Sequence, residues 1–138
     1  DSVASRGLGD VYKRQDSHVV VTSLGKVAAQ LDAAKLVMFE AIKTVDDAAL
    51  EKRPLTPLEA SKQRAQCAIA VEFIHEAVEK LMFIAGSSAF SHTNPLSRYW
   101  RDVHVGLRHV QNIPDIGYEL YARDMMELTP NITPPGAY

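Results

Sequence analysis

Apolar residues spaced three and four apart in residues 94–110 are the feature that most constrains the fold. They are Leu96, Trp100, Val103, Leu107 and Val110. Asn94 can cap a helix that has Pro95 at its first position, where the missing N–H costs nothing. This pattern predicts a helix whose apolar stripe faces a core of other helices, and Pro114 limits it to Gln111 or Asn112.

Two longer segments upstream have the same helical period. In the first, the stripe is Leu24, Val27, Leu31, Ala34, Met38, Ile42, Val45 and Ala49, and we expect the helix to end within residues 45–51. Residues 18–22 are β-branched and could form a strand, but Asp16 or Ser17 could equally cap a helix through them, which we favour. The second helix should begin at Thr56, because Thr56 and Glu59 form a capping box around Pro57, and it should stop at Gly86.

The pattern as a whole predicts an all-α, up-and-down four-helix bundle. A fourth helix is expected over residues 115–128, and the proline-rich residues 129–138 should form an irregular tail. Residues 1–15 resemble translated sequencing adapter, the alternative being a native flexible N-terminus, and we exclude them from the domain at 16–128. If the junction is artificial, the chain is a C-terminal fragment of a longer protein.

Charge and composition argue against several classes of protein. The 15 basic and 17 acidic residues give a net charge of −2, whereas a nucleic-acid binder normally carries a concentrated positive face. No run reaches the roughly 20 apolar residues of a membrane span. Cys67 is the single cysteine, which excludes an internal disulfide, fits a cytoplasmic setting and predicts a small core residue.

We expect no metal site from the spacing of the histidines and carboxylates. Glu72 and His75 have the Glu-x-x-His spacing of di-iron bundles, but no second copy of the motif exists. His104 and His109 would lie about 140° apart on one helix and could not chelate the same ion.

His109 is the residue best suited to catalysis, although a lone histidine on a bundle helix is more often a core or capping residue. It is predicted to share a second helix face with Arg98 and Asp102, beside Arg101 and Arg108. Arg101 and Asp102 are interpreted as a structural ion pair that keeps neighbouring helices in register.

Three sequence blocks together resemble the C-terminal helical domain of the acyl-CoA dehydrogenase superfamily. They are residues 86–90 (Gly-Ser-Ser-Ala-Phe), residues 94–102 (Asn-Pro-Leu-Ser-Arg-Tyr-Trp-Arg-Asp) and His109. More narrowly, the chain resembles the two-component flavin-dependent monooxygenases that hydroxylate phenolic or polycyclic aromatic substrates. Acyl-CoA dehydrogenases of the commonest type have a catalytic Glu where this chain has His109 and Val110, and Gly-Gly where it has Gly86 and Ser87. Both departures favour the hydroxylases.

The resemblance implies a cofactor, partners and site residues. Reduced flavin (FMN or FAD) from a separate reductase would react with O₂ to a C4a-hydroperoxyflavin, which hydroxylates the aromatic substrate. His109 would be catalytic or position the flavin, and Gly86, Ser87 and Ser88 would form a loop near it. The family implies a homotetramer with flavin sites between subunits, so this segment alone should be inactive. An acyl-CoA dehydrogenase-like flavoprotein and a non-enzymatic oligomerisation bundle remain alternatives.

Overall fold

Four α-helices make up most of the computed structural model, which describes residues 17–109 and 112–129. They are α1 (His18–Leu50), α2 (Pro57–Ala85), α3 (Pro95–Gly106) and α4 (Pro114–Met125), with a short 3₁₀ helix, Ser87–Phe90, between α2 and α3. No strand occurs in these described residues, and the predicted all-α class is confirmed. The predicted adapter segment and all of the predicted tail except Thr129 lie outside the described residues.

The central helix is α2, because α1, α3 and α4 all pack against it. Its beginning follows the predicted capping box: the Thr56 hydroxyl accepts from the Glu59 N–H at 3.2 Å, and the Glu59 carboxylate accepts from the Thr56 N–H at 2.8 Å. Arg53 adds two hydrogen bonds to the same carboxylate and, with the Thr56 N–H, lowers the pKa of Glu59 to about 2. The helix ends at Gly86, as predicted, with φ 76°.

Helix α1 covers residues 18–22, so the helical interpretation of that segment is confirmed. Its buried positions are Ser23, Val27, Ala34, Ala41 and Ala48, the last four repeating every seven residues. Much of the predicted stripe is instead exposed, including Leu24, Met38, Ile42 and Val45. Buried residues spaced seven apart form one line of contact along a helix, as expected when the helix packs against a single partner. The partner of α1 is α2. The periodic stripe therefore predicts the helix correctly, and only part of it packs against α2.

The seams between helices are lined mainly by small side chains. In α2 the buried residues are Ala60, Ser61, Ala65, Ala68, Ala70, Ala77 and Met82, whereas Leu58 is exposed. On α4, Gly117 lies so close to α2 that an added Cβ would be 2.9 Å from the Arg64 carbonyl oxygen. Small residues thus allow the α2 and α4 backbones to approach closely.

Replacing Gly117 by Ala is expected to destabilise the chain by about 1–3 kcal/mol, because a rigid backbone oxygen cannot move aside for the new methyl group. Gly25 is the matched control, since a Cβ there meets nothing within 4 Å and the residue is exposed on α1. Gly25→Ala should stabilise the chain by about 0.5–1 kcal/mol. Urea denaturation of both variants measures the difference. Equal midpoints would show that α2 and α4 do not pack this closely.

Within the described residues, no helix is both long and apolar enough to cross a membrane.

Cys67 is half-buried rather than a core residue. Burial raises the pKa of its thiol, with Arg64 acting weakly in the opposite direction. The thiol therefore stays protonated, as expected of a cysteine without a nucleophilic role.

Candidate functional site

The predicted cofactor loop is the turn between α2 and α3. Gly86 takes a positive φ, Ser87 and Ser88 are exposed, and Ala89 is completely buried beneath them. The side-chain amide of Asn94 donates to the Ser88 carbonyl at 3.2 Å, which ties the turn to the start of α3. The two serine side chains are thus displayed on a fixed turn.

His109 lies beyond the end of α3, in a turn that leads to α4. The predicted helix through Gln111 or Asn112 is wrong, because α3 ends at Gly106. Glycine has a low propensity for the interior of a helix. The Asn112 side-chain amide donates to the Gly106 carbonyl at 3.2 Å, so this carbonyl at the helix end has a partner. The Asn112 N–H also donates to the His109 carbonyl at 2.8 Å. His109 is exposed, and the 140° relation to His104 does not apply.

The loop and His109 are at opposite ends of α3. That helix has 12 residues, which corresponds to about 18 Å along its axis. In a single copy of this chain, His109 and the Ser87–Ser88 turn therefore do not contact the same small chemical group of a ligand.

The predicted ion pair between Arg101 and Asp102 is replaced by contacts within α3. Arg101 donates to the buried Ser97 hydroxyl at 2.8 Å, and Asp102 pairs with Arg98 at 3.5 Å. Arg98 and Asp102 are 78% and 63% exposed, so this pair contributes little to stability. The register of α3 against α2 is determined by other residues.

A group of four residues that the sequence analysis did not combine joins α2 to α3. We call His75, Glu79, Trp100 and His104 the α2–α3 cluster. The Trp100 indole N–H donates to Glu79 Oε1 at 2.8 Å, and His104 Nε2 lies 2.9 Å from the same oxygen. The His104 ring lies 4.9 Å from the His75 ring, centroid to centroid. Trp100, predicted to face the core, is thus half-buried against a carboxylate.

Spacing of four residues was the available signal for this cluster. His75 and Glu79 are four apart on α2, and Trp100 and His104 are four apart on α3, so each pair shares a helix face. The lack of a second Glu-x-x-His motif argues against a di-iron site, and the spacing of His104 and His109 argues against chelation by that pair. Neither observation bears on His75, Glu79 and His104, which two helices bring together.

An open cleft of about 320 Å³ lies beside the cluster. Its lining includes Glu72, His75, His104, Leu107 and Arg108. Near it, the Tyr118 hydroxyl of α4 donates to Glu72 at 2.5 Å, and burial together with that carboxylate raises the pKa of Tyr118. Glu72 is thus a partner of a tyrosine that stays protonated. The cleft offers polar groups and aliphatic surface to a small molecule.

Comparison with known proteins gives one family and several relatives. The family model described as acyl-CoA dehydrogenase, C-terminal domain, matches residues 1–114. The oxygenase subunit HsaA of a flavin-dependent monooxygenase from Rhodococcus jostii (strain RHA1) is 38% identical over 45 residues, which are 33% of this chain and 12% of that protein. The oxygenase component of p-hydroxyphenylacetate 3-hydroxylase from Acinetobacter baumannii is 33% identical over 70 residues, or 51% and 17% of the two chains.

Solved structures give a similar result over more of the chain. XiaF from Streptomyces sp., in complex with FADH2 and glycerol, has a TM-score of 0.83 and 35% identity, over 88% of this chain and 30% of that one. The HsaA monooxygenase from Mycobacterium tuberculosis has a TM-score of 0.77 over 86% of this chain and 31% of that one, but its 20% identity shows the fold alone. The chain spans less than a third of the length of these relatives. The family match includes residues 1–15, whose interpretation as adapter stays a prediction.

Proposed function

Because this chain belongs to the acyl-CoA dehydrogenase C-terminal domain family, we propose that it is the C-terminal helical part of the oxygenase component of a flavin-dependent monooxygenase. The substrate class is a phenol or polycyclic aromatic compound. The observation that carries the proposal is the similarity to XiaF over 88% of the chain at 35% identity. The names of the two curated relatives, both oxygenase components, point to the same class of enzyme.

Reduced flavin (FMN or FAD) is the cofactor in this proposal, and the FADH2 in the XiaF structure supports a reduced flavin. When bound, the flavin would supply the activated oxygen. The residues of this chain fit such a ligand: the hydroxyls of Ser87 and Ser88 are exposed on the turn after Gly86, and His109 is exposed at the other end of α3. The Ser87 hydroxyl can donate to a flavin oxygen, whereas the Ser88 hydroxyl donates to the Ala85 carbonyl at 3.4 Å and can accept. An imidazole can accept a phenolic proton near neutral pH.

His109 has the catalytic role, and it acts on the proton of the substrate hydroxyl through one imidazole nitrogen. Removing that proton increases the electron density of the aromatic ring, which favours attack on an electrophilic oxygen. The alternative reaction of the superfamily is the loss of an α-proton from an acyl thioester. The resemblance implies that a carboxylate is the base in that reaction. Positions 109 and 110 of this chain carry His and Val.

Assembly is part of the proposal, because His109 and the Ser87–Ser88 turn are about 18 Å apart along α3. We place them in different flavin sites of a homotetramer, each site completed by another copy and by domains outside this segment. The exposed apolar residues of α1 provide a surface for such contacts. A separate reductase supplies the reduced flavin, and the setting is cytoplasmic.

The test uses the full-length protein that contains this segment. With FADH2, ¹⁸O₂ and a panel of phenols, one labelled oxygen should appear in the product, and the 138-residue chain alone should give none. Product whose new oxygen is unlabelled and therefore comes from water, or oxidation of an acyl thioester with an electron acceptor other than O₂, would contradict the hydroxylase and favour the dehydrogenase-like alternative. Absence of any flavin-dependent change in fluorescence or melting temperature would favour the oligomerisation bundle.

A further inference from the structure

We propose that His75, Glu79 and His104 of the α2–α3 cluster bind a divalent transition metal ion of the Zn²⁺ type. One ligand atom from each residue lies within 4.8 Å of the other two. Two histidine nitrogens and one carboxylate oxygen form a donor set that zinc uses in proteins, with a fourth position left for water or another ligand.

The two helices contribute the ligands in a way that a metal ion can bridge. His75 and Glu79 are one helical turn apart on the same face of α2, and His104 approaches them from α3. Ligand atoms about 2.0–2.2 Å from a tetrahedral Zn²⁺ are about 3.3–3.6 Å from one another. His104 Nε2 and Glu79 Oε1, at 2.9 Å, are already near that spacing. The His75 nitrogen, within 4.8 Å of the other two ligand atoms, is the one that has to move closer.

The surroundings of His104 are those of a metal ligand. Its Nδ1 lies 2.7 Å from the Trp100 carbonyl oxygen, which can only accept, so Nδ1 carries the proton and donates. The lone pair of Nε2 in the neutral ring then faces Glu79 Oε1 at 2.9 Å. Two acceptors at that distance repel each other unless a proton or a metal ion lies between them. A backbone carbonyl that fixes the tautomer of a histidine is the usual second-shell partner of a bound metal.

Glu79 is oriented by the same tryptophan. The indole N–H donates to Oε1 at 2.8 Å, which holds the carboxylate toward His104 while its side chain stays 48% exposed. That exposure gives an ion a path from solvent, and His104, at 20% exposed, is the inner ligand. Nitrogen ligands favour Zn²⁺, Ni²⁺ or Cu²⁺ over Mg²⁺ and Ca²⁺, which prefer oxygen.

The experiment titrates the EDTA-treated chain with Co²⁺, whose visible absorption reports coordination, and with Zn²⁺ by calorimetry. We expect one ion per chain, competition between the two metals, and a higher melting temperature with Zn²⁺. His75→Ala and His104→Ala should each weaken Zn²⁺ binding by at least the 10–100-fold that loss of a second-shell partner costs. Glu79→Gln should do the same, although its amide oxygen can still accept from Trp100 and so keep the helices packed.

His92→Ala is the matched control, because His92 is an exposed histidine in the loop before α3 and is not in the cluster. Its Zn²⁺ affinity should equal that of the wild type, and far-UV circular dichroism should show all variants folded. Absence of saturable Co²⁺ binding would overturn the proposal and leave a proton as the occupant between His104 and Glu79. Unchanged affinity in a folded Glu79→Gln variant would overturn it as well. Neither outcome affects the proposed hydroxylase, since no turnover is measured.

Discussion

Replacing His109 by Ala in the full-length protein of the proposed function is expected to slow hydroxylation by roughly 10²–10⁴-fold, so that less product forms per flavin oxidised and the balance appears as H₂O₂. That range is the usual contribution of a positioned general acid or base. The side chain is exposed in the turn after α3, so its removal leaves no cavity in the bundle. Flavin oxidation should continue, because the reaction of reduced flavin with O₂ does not require substrate deprotonation. Product yield and peroxide are measured together over single turnovers.

Two further variants distinguish catalysis from structure. His109→Gln keeps a polar side chain of similar size but cannot exchange a proton near neutral pH, so it should resemble His109→Ala. His92→Ala removes a different exposed histidine and should couple normally. Wild-type coupling in a folded His109→Ala enzyme would remove His109 from the catalytic machinery.

Features that depend on neighbouring residues in the chain were predicted correctly from the sequence. The start of α2 follows from Thr56, Pro57 and Glu59, whose hydrogen bonds lie within one turn, and its end follows from a glycine at positive φ. Such local interactions form with any tertiary packing. For the same reason the cap of α3 at Asn94, which accepts from the Leu96 N–H at 3.0 Å, was predictable.

Features that depend on how two helices pack could not be predicted in the same way. Glu79 meets Trp100 and His104 only because the turn at Gly86 brings α3 back along α2 in one register. The early end of α3 at Gly106 also had a local cause, the low helix propensity of glycine, but the predicted stripe continued through it. His109 was consequently placed on a helix face rather than in a turn.

The apolar pattern of α1 shows a further limit of periodicity. Leu24, Ile42 and Ala49 each follow a buried residue directly, and at 3.6 residues per turn they lie 100° around the helix from it. The sequence contains one seam for α2 and an adjacent apolar seam that has no partner among residues 17–109 and 112–129. Periodicity identified apolar residues correctly but could not divide them between two partners.

Ile42→Glu is expected to convert the proposed homotetramer of the full-length protein into smaller species, because it places a charge in the second seam of α1. Ile42 is 47% exposed and lines an apolar groove of about 350 Å³ with Leu31, Met38, Phe39 and Ile74. Continuous exposed apolar surface of this kind is characteristic of interfaces between permanent subunits. We assign a second copy of this chain as the occupant, since α1 exposes apolar residues from Val19 to Leu50, a length suited to a long helix packing alongside. Light scattering after size-exclusion chromatography measures the mass.

Ala29→Glu is the matched control for that substitution. Ala29 is exposed on α1 and lies 13 residues before Ile42, which at 3.6 residues per turn places it about 140° away, on the side opposite the groove. The same charge added there should leave the tetramer intact. Because Ile42 is not part of the seam with α2, the helical content of the Ile42→Glu variant should equal that of the wild type. If the enzyme keeps its mass with Glu at position 42, the groove is not the subunit contact. In that case the proposed flavin sites must be completed through another surface, because one copy has His109 and the Ser87–Ser88 turn at opposite ends of α3.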